Sequence, residues 1–321
     1  MNDNAGIDRC ETEITAAGRV LVTGGAGFIG SHVVEALLKV GMRVTVLDDF
    51  STGLRENLPA PSEALRVVQG AILDRVALSR ALDEVVAVIH LAAVASVRRS
   101  FEDRPGTHKI NYAGSELLLD ACSEAGVRRV LYASSAAVYG DYACAVSEKI
   151  PPRPLSPYAE DKLAVERLLD QRSQNGGAAF TAFRFFNVYG PRQNPASDYA
   201  GVIELFLRQV RRDEPLTIFG DGLQTRDFVY VSDVAGIVVD SLLRGWGIGS
   251  IVNVGRGSGI SLLELVNAIE CATRKRAEIH RAAARVGDIC YSVSDVALLY
   301  RLSGMRAETD LAAGLRMMLR E

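Results

Sequence analysis

A doubly wound α/β fold, with a parallel sheet covered by helices on both faces and a smaller second lobe, is the architecture this sequence predicts. Three observations carry the prediction. Short apolar runs alternate with helical stretches through the first half, a glycine-rich turn joins the first run to the first helix, and the rhythm changes after Asn187. Parallel strands need crossover helices and are buried on both faces, so they read as short continuous apolar runs.

The elements follow in order. Val20-Leu21-Val22 is the first run, and a helix follows over residues 28–40, ended by Gly41. Residues 43–47, 65–69, 86–91 and 130–133 are further strands, with helices over 111–125 and 157–173 and one more strand over 179–185. Beyond Asn187, the pairs Gly190-Pro191 and Asn194-Pro195 and the triplet Gly220-Asp221-Gly222 mark loops. A helix near 201–211, a return strand over 251–254 and a last helix over 311–319 complete the pattern. The expected organisation is a flexible extension over 1–18, a cofactor domain over 19–186 and a substrate lobe over 187–321, from which about 232–254 returns to the first domain. Ligands of such sheets bind at the carboxyl ends of the strands, so the cleft belongs between the lobes.

Composition narrows the function. Lys plus Arg is 36 and Asp plus Glu is 39, a net charge of −3, which is not the basic footprint of a nucleic-acid binder. No apolar run is long enough to cross a bilayer, and residues 1–18 lack the apolar core of a signal peptide. Five scattered cysteines without a Cys-x-x-Cys pair, and four histidines without ligand spacing, point to a reducing, cytoplasmic setting and no metal site.

Thr23-Gly24-Gly25-Ala26-Gly27-Phe28-Ile29-Gly30 stands between the first strand and the first helix. Gly24 suits a tight turn, Gly27 lets backbone approach a pyrophosphate, and Gly30 lets helix pack on strand. The helix start adds amide donors and partial positive charge. A lone glycine pattern is equally a plain turn; its place between strand and helix makes it a dinucleotide loop. The second strand ends in Leu47-Asp48-Asp49. A carboxylate there accepts bonds from ribose hydroxyls and repels a 2′-phosphate, which favours NAD over NADP. Asp48 directly ends the apolar run and is the better acceptor; Asp49 is the alternative, or a turn residue.

Ser156 and Pro157 open a helix as cap and first residue. Tyr158 and Lys162 are then four apart on one face. A nearby ammonium favours a phenolate, which can take a proton from a sugar hydroxyl while hydride leaves its carbon. Tyr-x-x-x-Lys alone is mostly surface decoration; downstream of the glycine loop it is specific. Ser134 and Ser135, at the end of the preceding strand, are both candidates for an accompanying hydroxyl.

The segments TGGAGFIGSH, LDDFSTG, HLAAVASV, SSAAVYG, SPYAEDK, FRFFNVYGPRQ, FGDGLQTRDFVYVSDV and RVGD follow one another in this order. The chain resembles the extended short-chain dehydrogenases/reductases, with a Rossmann-type sheet, and within them the UDP-sugar 4-epimerases. The resemblance implies that Ser135 is the catalytic hydroxyl, with Ser134 its neighbour. It implies NAD contacts from Gly24, Gly27, Phe28, Ile29, Gly30, Asp48, Ser51, Gly53, Ile72, Leu91, Ala92, Ala93 and Asn111, joined by Tyr158 and Lys162. It places Ser96, Asn187, Phe219, Arg226, Arg285, Asp288 and Ser292 on the substrate, with Asn187, Arg226 and Arg285 at the diphosphate and Phe219 near uracil. Arginine suits that task because its planar fork binds phosphate oxygens in pairs; a surface charge or a core aromatic is the bland alternative for each.

Two departures stand out. Relatives often carry an aspartate for the adenine amino group where Gly70 is followed here by Ala71. They also often carry Ser or Thr before the catalytic lysine, where this chain has Asp161; as a helical neighbour it is expected to point away from the Tyr158–Lys162 face, with little effect.

The resemblance implies oxidation of the sugar C4 hydroxyl, rotation of the 4-keto sugar in the cleft and return of hydride to its other face, in a UDP-hexose 4-epimerase. A nucleotide-sugar 4,6-dehydratase needs a further acid and base, and Ala136 and Ala137 stand where dehydratases place acids. UDP-glucuronate epimerases and decarboxylases are weaker alternatives, as is an NAD-sensing protein without chemistry, which usually loses the Tyr or Lys. Leucines 117, 118, 163, 168 and 169 on the helices over 111–125 and 157–173 suggest a homodimer paired through those helices. Counting from Asp288 gives Ser292 as the residue beside the sugar, small enough to admit a 2-acetamido group; a slip of one would put Tyr291 there and reverse the conclusion.

Overall fold

The computed structural model describes residues 18–193, 201–284 and 289–320. The expected extension lies, except for Gly18, outside these residues. The chain enters on strand β1 (Arg19–Thr23), turns into helix α1 (Phe28–Lys39) and continues through β2 (Arg43–Asp48), β3 (Leu65–Gln69), α2 (Arg75–Ala81) and β4 (Val85–His90). Short helices α3 (Val97–Glu102) and α4 (Arg104–His108) lead through a π-turn at Lys109–Ala113 into α5 (Gly114–Glu124). Strand β5 (Arg129–Ser135), α6 (Pro157–Gln174) and β6 (Ala179–Phe185) follow. The helix expected over 111–125 is thus the end of a longer helical run, and β5 extends far enough to carry both Ser134 and Ser135.

The second half starts with β7 (Asn187–Tyr189), α7 (Val202–Arg211), β8 (Leu216–Phe219) and β9 (Thr225–Tyr230). It then runs through α8 (Val231–Arg244), β10 (Ser250–Val254), β11 (Gly259–Ser261), α9 (Leu262–Thr273), β12 (Ile279–Ala282), β13 (Tyr291–Ser292), α10 (Ala297–Ser303) and α11 (Leu311–Met318).

Seven strands form one parallel sheet in the order β10-β6-β5-β4-β1-β2-β3. This is a Rossmann-type fold, and its order reverses between β1 and β4, where a crevice opens at the carboxyl ends. Side chains of successive strand residues alternate between faces. Val20 and Val22 join one core with Val33, Val34 and Val238 of α1 and α8, whereas Leu21 joins the other with Leu78, Leu118 and Leu168 of α2, α5 and α6. A smaller lobe gathers β7, β9, β11 and β13 in one sheet and β8 with β12 in another. Its core includes Ile203, Phe206, Leu207 and Val210 of α7, the i, i+3, i+4, i+7 stripe of an amphipathic helix.

The chain returns to the large sheet twice. The first return is α8 and β10. The second was not expected: Leu299 and Ala307, in and after α10, are buried in the core with α1 and α8, and Leu298, Leu302 and Met305 pack against it. The leucines that suggested a dimer face also find other work. Leu118, Leu163, Leu168 and Leu169 are buried by the chain itself, and only Leu117 is half-buried. Leu118, Leu168 and Leu169 pack on the sheet, and Leu163 packs with Val138, Tyr139 and Phe186.

Candidate active site

The glycine loop is built by close approach. Gly24 lies at φ +68°, and a Cβ there would stand 2.8 Å from the Ala92 nitrogen. A Cβ on Gly30 would stand 2.1 Å from the Gly24 carbonyl oxygen, which only glycine permits. Gly27 caps α1, and Phe28 and Ile29 form its open first turn. Leu91 and Ala92, just after β4, lie against this loop, and Ala93 follows them.

A buried chain of hydrogen bonds holds the two segments together. Thr23 Oγ1 accepts from the backbone nitrogens of Leu91 and Ala92, each at 3.2 Å. With both lone pairs used, its hydroxyl donates to His90 Nδ1 at 2.7 Å. His90 then carries its proton on Nε2 and donates to Ser115 Oγ at 2.9 Å, which donates to the Asn111 carbonyl. Burial holds His90 neutral, its pKa pushed down to about 3. The Asn111 side chain pins the same loop, accepting from the Val94 nitrogen at 2.8 Å and donating to its carbonyl at 3.2 Å.

Asp48 is 7% exposed at the end of β2. Its Oδ2 accepts from the Ala26 nitrogen at 2.9 Å and its Oδ1 from the Phe50 nitrogen at 2.8 Å. A carboxylate has about four acceptor positions, so each oxygen keeps one for a ribose hydroxyl. Burial raises its pKa while those two backbone bonds oppose the rise. Asp49 instead holds the turn, accepting from Ser51 nitrogen and Oγ at 2.9 and 2.6 Å. A Cβ on Gly53 would lie 2.9 Å from the Ala26 carbonyl carbon, so this glycine lets the turn close over the loop. Ile72 is buried against Gly114. Ala71 offers no carboxylate, and the next acid, Asp74, is spent as the cap of α2. The glycine cradle and the two open carboxylate positions fit a dinucleotide without a 2′-phosphate.

Ser156 caps α6, accepting from the Ala159 nitrogen at 3.2 Å, with Pro157 first in the helix; such a cap contributes about 1 kcal/mol. The helix buries Tyr158, Lys162 and Glu166 on the face against β5. Tyr158 shares a side-chain hydrogen bond with Ser135, whose Oγ also accepts from the Ala137 nitrogen at 3.2 Å. Lys162 Nζ donates to the Ala133 carbonyl at 2.7 Å and sits 5.8 Å from the Tyr158 ring centroid. The ionisation differs from expectation. Burial pushes the Tyr158 phenol above its ordinary value, only partly opposed by Ser135. Burial also lowers Lys162 to about 8, against the raising effect of Glu166 and Asp161.

Asp161 also departs from expectation. Its side chain is buried and its Oδ1 meets His108 Nδ1 at 2.6 Å. It makes no bond to Tyr158 or Lys162, yet its charge reaches Lys162 through the buried interior.

On the substrate side, Ser96 is buried and caps α3, accepting from the Arg99 nitrogen at 3.1 Å. Asn187, Arg226 and Ser292 lie on β7, β9 and β13 of one small sheet. Phe219 ends β8, and its carbonyl accepts from Gln224 Nε2 at 2.8 Å. Arg226 Nη1 donates to the Ile289 carbonyl at 2.7 Å. Arg285 and Asp288 lie outside the described residues. Ser292 pairs with Arg226 and Tyr291 with Thr225 in parallel register, so Ser292 shares the face of Arg226. A Cβ built on Gly259 would meet Thr225 and Val293 together, which puts Tyr291, two residues from Val293, on the opposite face. Asn187 pairs with Phe228, two residues from Arg226 and therefore on its face.

Sequence reasoning missed Thr23, His90, Ser115, Glu166 and Arg184. A histidine ending the apolar run Val85–His90 was the one available signal.

Residues 20–255 match the model of the NAD dependent epimerase/dehydratase family. The UDP-glucose 4-epimerase of Mycolicibacterium smegmatis is 38% identical over 306 residues, covering 92% of this chain and 96% of the relative. Among solved structures, the Thermus thermophilus UDP-glucose 4-epimerase in complex with NAD is 38% identical with a TM-score of 0.87, covering 94% of this chain and 98% of its own. The UDP-N-acetylglucosamine 4-epimerase of Methanobrevibacter ruminantium, in complex with UDP-N-acetylmuramic acid, is 33% identical with a TM-score of 0.89, covering 94% and 97%.

Proposed function

This chain belongs to the NAD dependent epimerase/dehydratase family, and from that premise we propose that it is an NAD-dependent 4-epimerase of UDP-hexoses, an isomerase. The observation that carries the reading is the alignment of Tyr158, Ser135 and Lys162 at the end of β5, with Ala136 and Ala137 following. Two alanines cannot transfer the extra proton a dehydratase requires, and losing an acid–base group costs about 10²–10⁴ in rate.

The glycine loop, Asp48, Gly53, Ile72, the 91–93 segment and Asn111 would hold NAD, which supplies the hydride acceptor and donor when bound. Tyr158, as the phenolate, takes the proton of the sugar C4 hydroxyl as hydride leaves C4, with Ser135 beside the phenolic oxygen. Lys162, 5.8 Å from the Tyr158 ring centroid, favours the phenolate that receives that proton. Asn187, Arg226 and Arg285 hold the diphosphate and Phe219 the uracil side, so the 4-keto sugar turns while its nucleotide stays fixed. Tyr158 then returns the proton to O4 on the other epimer. The scattered cysteines support a cytoplasmic setting. A homodimer goes with this reading, supported by Phe101 and Leu155, which are 62% and 57% exposed near the start of α6; light scattering of a monomer at micromolar concentration would contradict it.

Ser292 makes the substrate range testable. Its small side chain on the Arg226 face supports a pocket with room for a 2-acetamido group. A panel of UDP-glucose, UDP-galactose, UDP-GlcNAc, UDP-GalNAc and UDP-glucuronate followed by NMR is expected to show interconversion within both the plain and the acetamido pairs. Ser292→Tyr is expected to remove the acetamido pair, about a 10–200-fold loss for a group that no longer fits, and largely to keep UDP-galactose. Equal loss on both pairs would show that Ser292 does not gate the pocket.

A further inference from the structure

Helix α6 meets the end of β5 at three rungs. Tyr158 bonds Ser135, Lys162 donates to the Ala133 carbonyl, and Glu166 accepts from the Ser134 hydroxyl. The three helix residues are spaced by four, so they share one face.

Only the third rung is anchored by an ion pair. Arg184 lies opposite Ser134 across the β5–β6 pair. It holds Glu166 with two nitrogens, Nε at 2.9 Å and Nη2 at 2.7 Å, and the two side chains are 3% and 1% exposed. A bidentate pair fixes direction as well as distance. Replacing such a buried pair by hydrophobic residues of similar volume often leaves stability unchanged, so stability alone is a weak account of its presence.

The same guanidinium continues the contact chain. It lies 4.6 Å from the Tyr139 ring centroid, and the Tyr139 hydroxyl donates to Asn253 Oδ1 at 2.7 Å. Asn253 Nδ2 donates to the carbonyls of Val146 and Asp295 at 2.8 and 3.2 Å. The chain therefore runs from the helix bearing Tyr158 to the segment that follows Ser292.

We propose that Glu166 and Arg184 are positioning residues whose buried pair sets the register of α6 against β5 and links it, through Tyr139 and Asn253, to the segment after Ser292. The proposal rests on the epimerase reading above. Its test is the double substitution Glu166→Met with Arg184→Met, which removes both charges together. Because Glu166 also supports the Lys162 ammonium, kcat is measured across pH. A displaced helix lowers it at every pH, whereas an effect on Lys162 alone shifts the profile and overturns the proposal. The double variant is expected to keep its melting temperature, its NAD affinity and its KM for UDP-galactose within about threefold, while kcat falls about 10–100-fold, the scale of a displacement near 1 Å at reacting groups. An unchanged kcat overturns the proposal. So does a parallel loss of kcat, NAD binding and thermal stability, which marks a merely structural pair. If the double variant does not fold, Ser134→Ala removes the rung without touching either charge. It is then expected to lower kcat several-fold at constant KM, and full kcat overturns the proposal. Unaltered enzyme runs in the same assay, and its failure to interconvert UDP-galactose would defeat the epimerase reading and this proposal with it.

Discussion

Tyr158→Phe is expected to lower turnover of UDP-galactose about 10²–10⁴-fold, the range for removing a positioned acid–base group, while NAD still binds. The substitution keeps the ring that α6 buries and removes only the oxygen bonded to Ser135. The ring stays in place and one hydroxyl contact to Ser135 is lost, so a loss of stability of no more than about 1 kcal/mol is expected. Steady-state kinetics with bound-NAD quantification separates the outcomes. Turnover equal to that of the unaltered enzyme would remove Tyr158 from the chemistry.

Gly30→Ala is expected to act on the cofactor. The added Cβ would stand 2.1 Å from the Gly24 carbonyl oxygen and 2.8 Å from the Gly25 Cα. Both are backbone atoms and no rotamer change relieves them, so the loop must shift. Overpacking of this kind costs about 1–3 kcal/mol, and a displacement near 1 Å at the dinucleotide cradle is expected to lower turnover about 10²-fold. Calorimetric titration with NAD reads the effect directly. Unaltered affinity would show that the loop does not hold the dinucleotide as argued.

Much of this was legible in the sequence because it is local. The glycine loop, Asp48 at a strand end and the Tyr158–Lys162 spacing each depend on residues a few positions apart, and period and capping chemistry place them on strands and helices. What was not legible depends on distance in the chain. Glu166 and Arg184 are ordinary charged residues in sequence; they meet only because α6 packs over β5 and β6. The return of residues 297–307 to the large sheet is set by Leu299 and Ala307 finding the α1–α8 core, which no local pattern announces. The ionisation of Tyr158 turned on burial against charge, and the sequence held the charge of Lys162 but not the burial. The leucines of α5 and α6 illustrate the same limit: spacing shows a stripe, but only packing shows that the same chain already covers it.

Strand pairing gives Ser292 and Tyr291 opposite faces. Pairing with Arg226 places the serine, not Tyr291, on the face shared with Asn187. A one-residue slip in a strand exchanges the two faces completely, so the Ser292→Tyr experiment is what tests the argument about sugar size.

In this 4-epimerase reaction hydride leaves C4 of a UDP-hexose and returns to the same carbon, with no net consumption of cofactor. The direct measurement is NMR of UDP-galactose carrying deuterium at C4, incubated with the enzyme. The expected result is an equilibrium mixture of UDP-galactose and UDP-glucose with the deuterium retained at C4 in both. Accumulation of a 4-keto-6-deoxy sugar, loss of deuterium to solvent, or no conversion in the presence of NAD would contradict it.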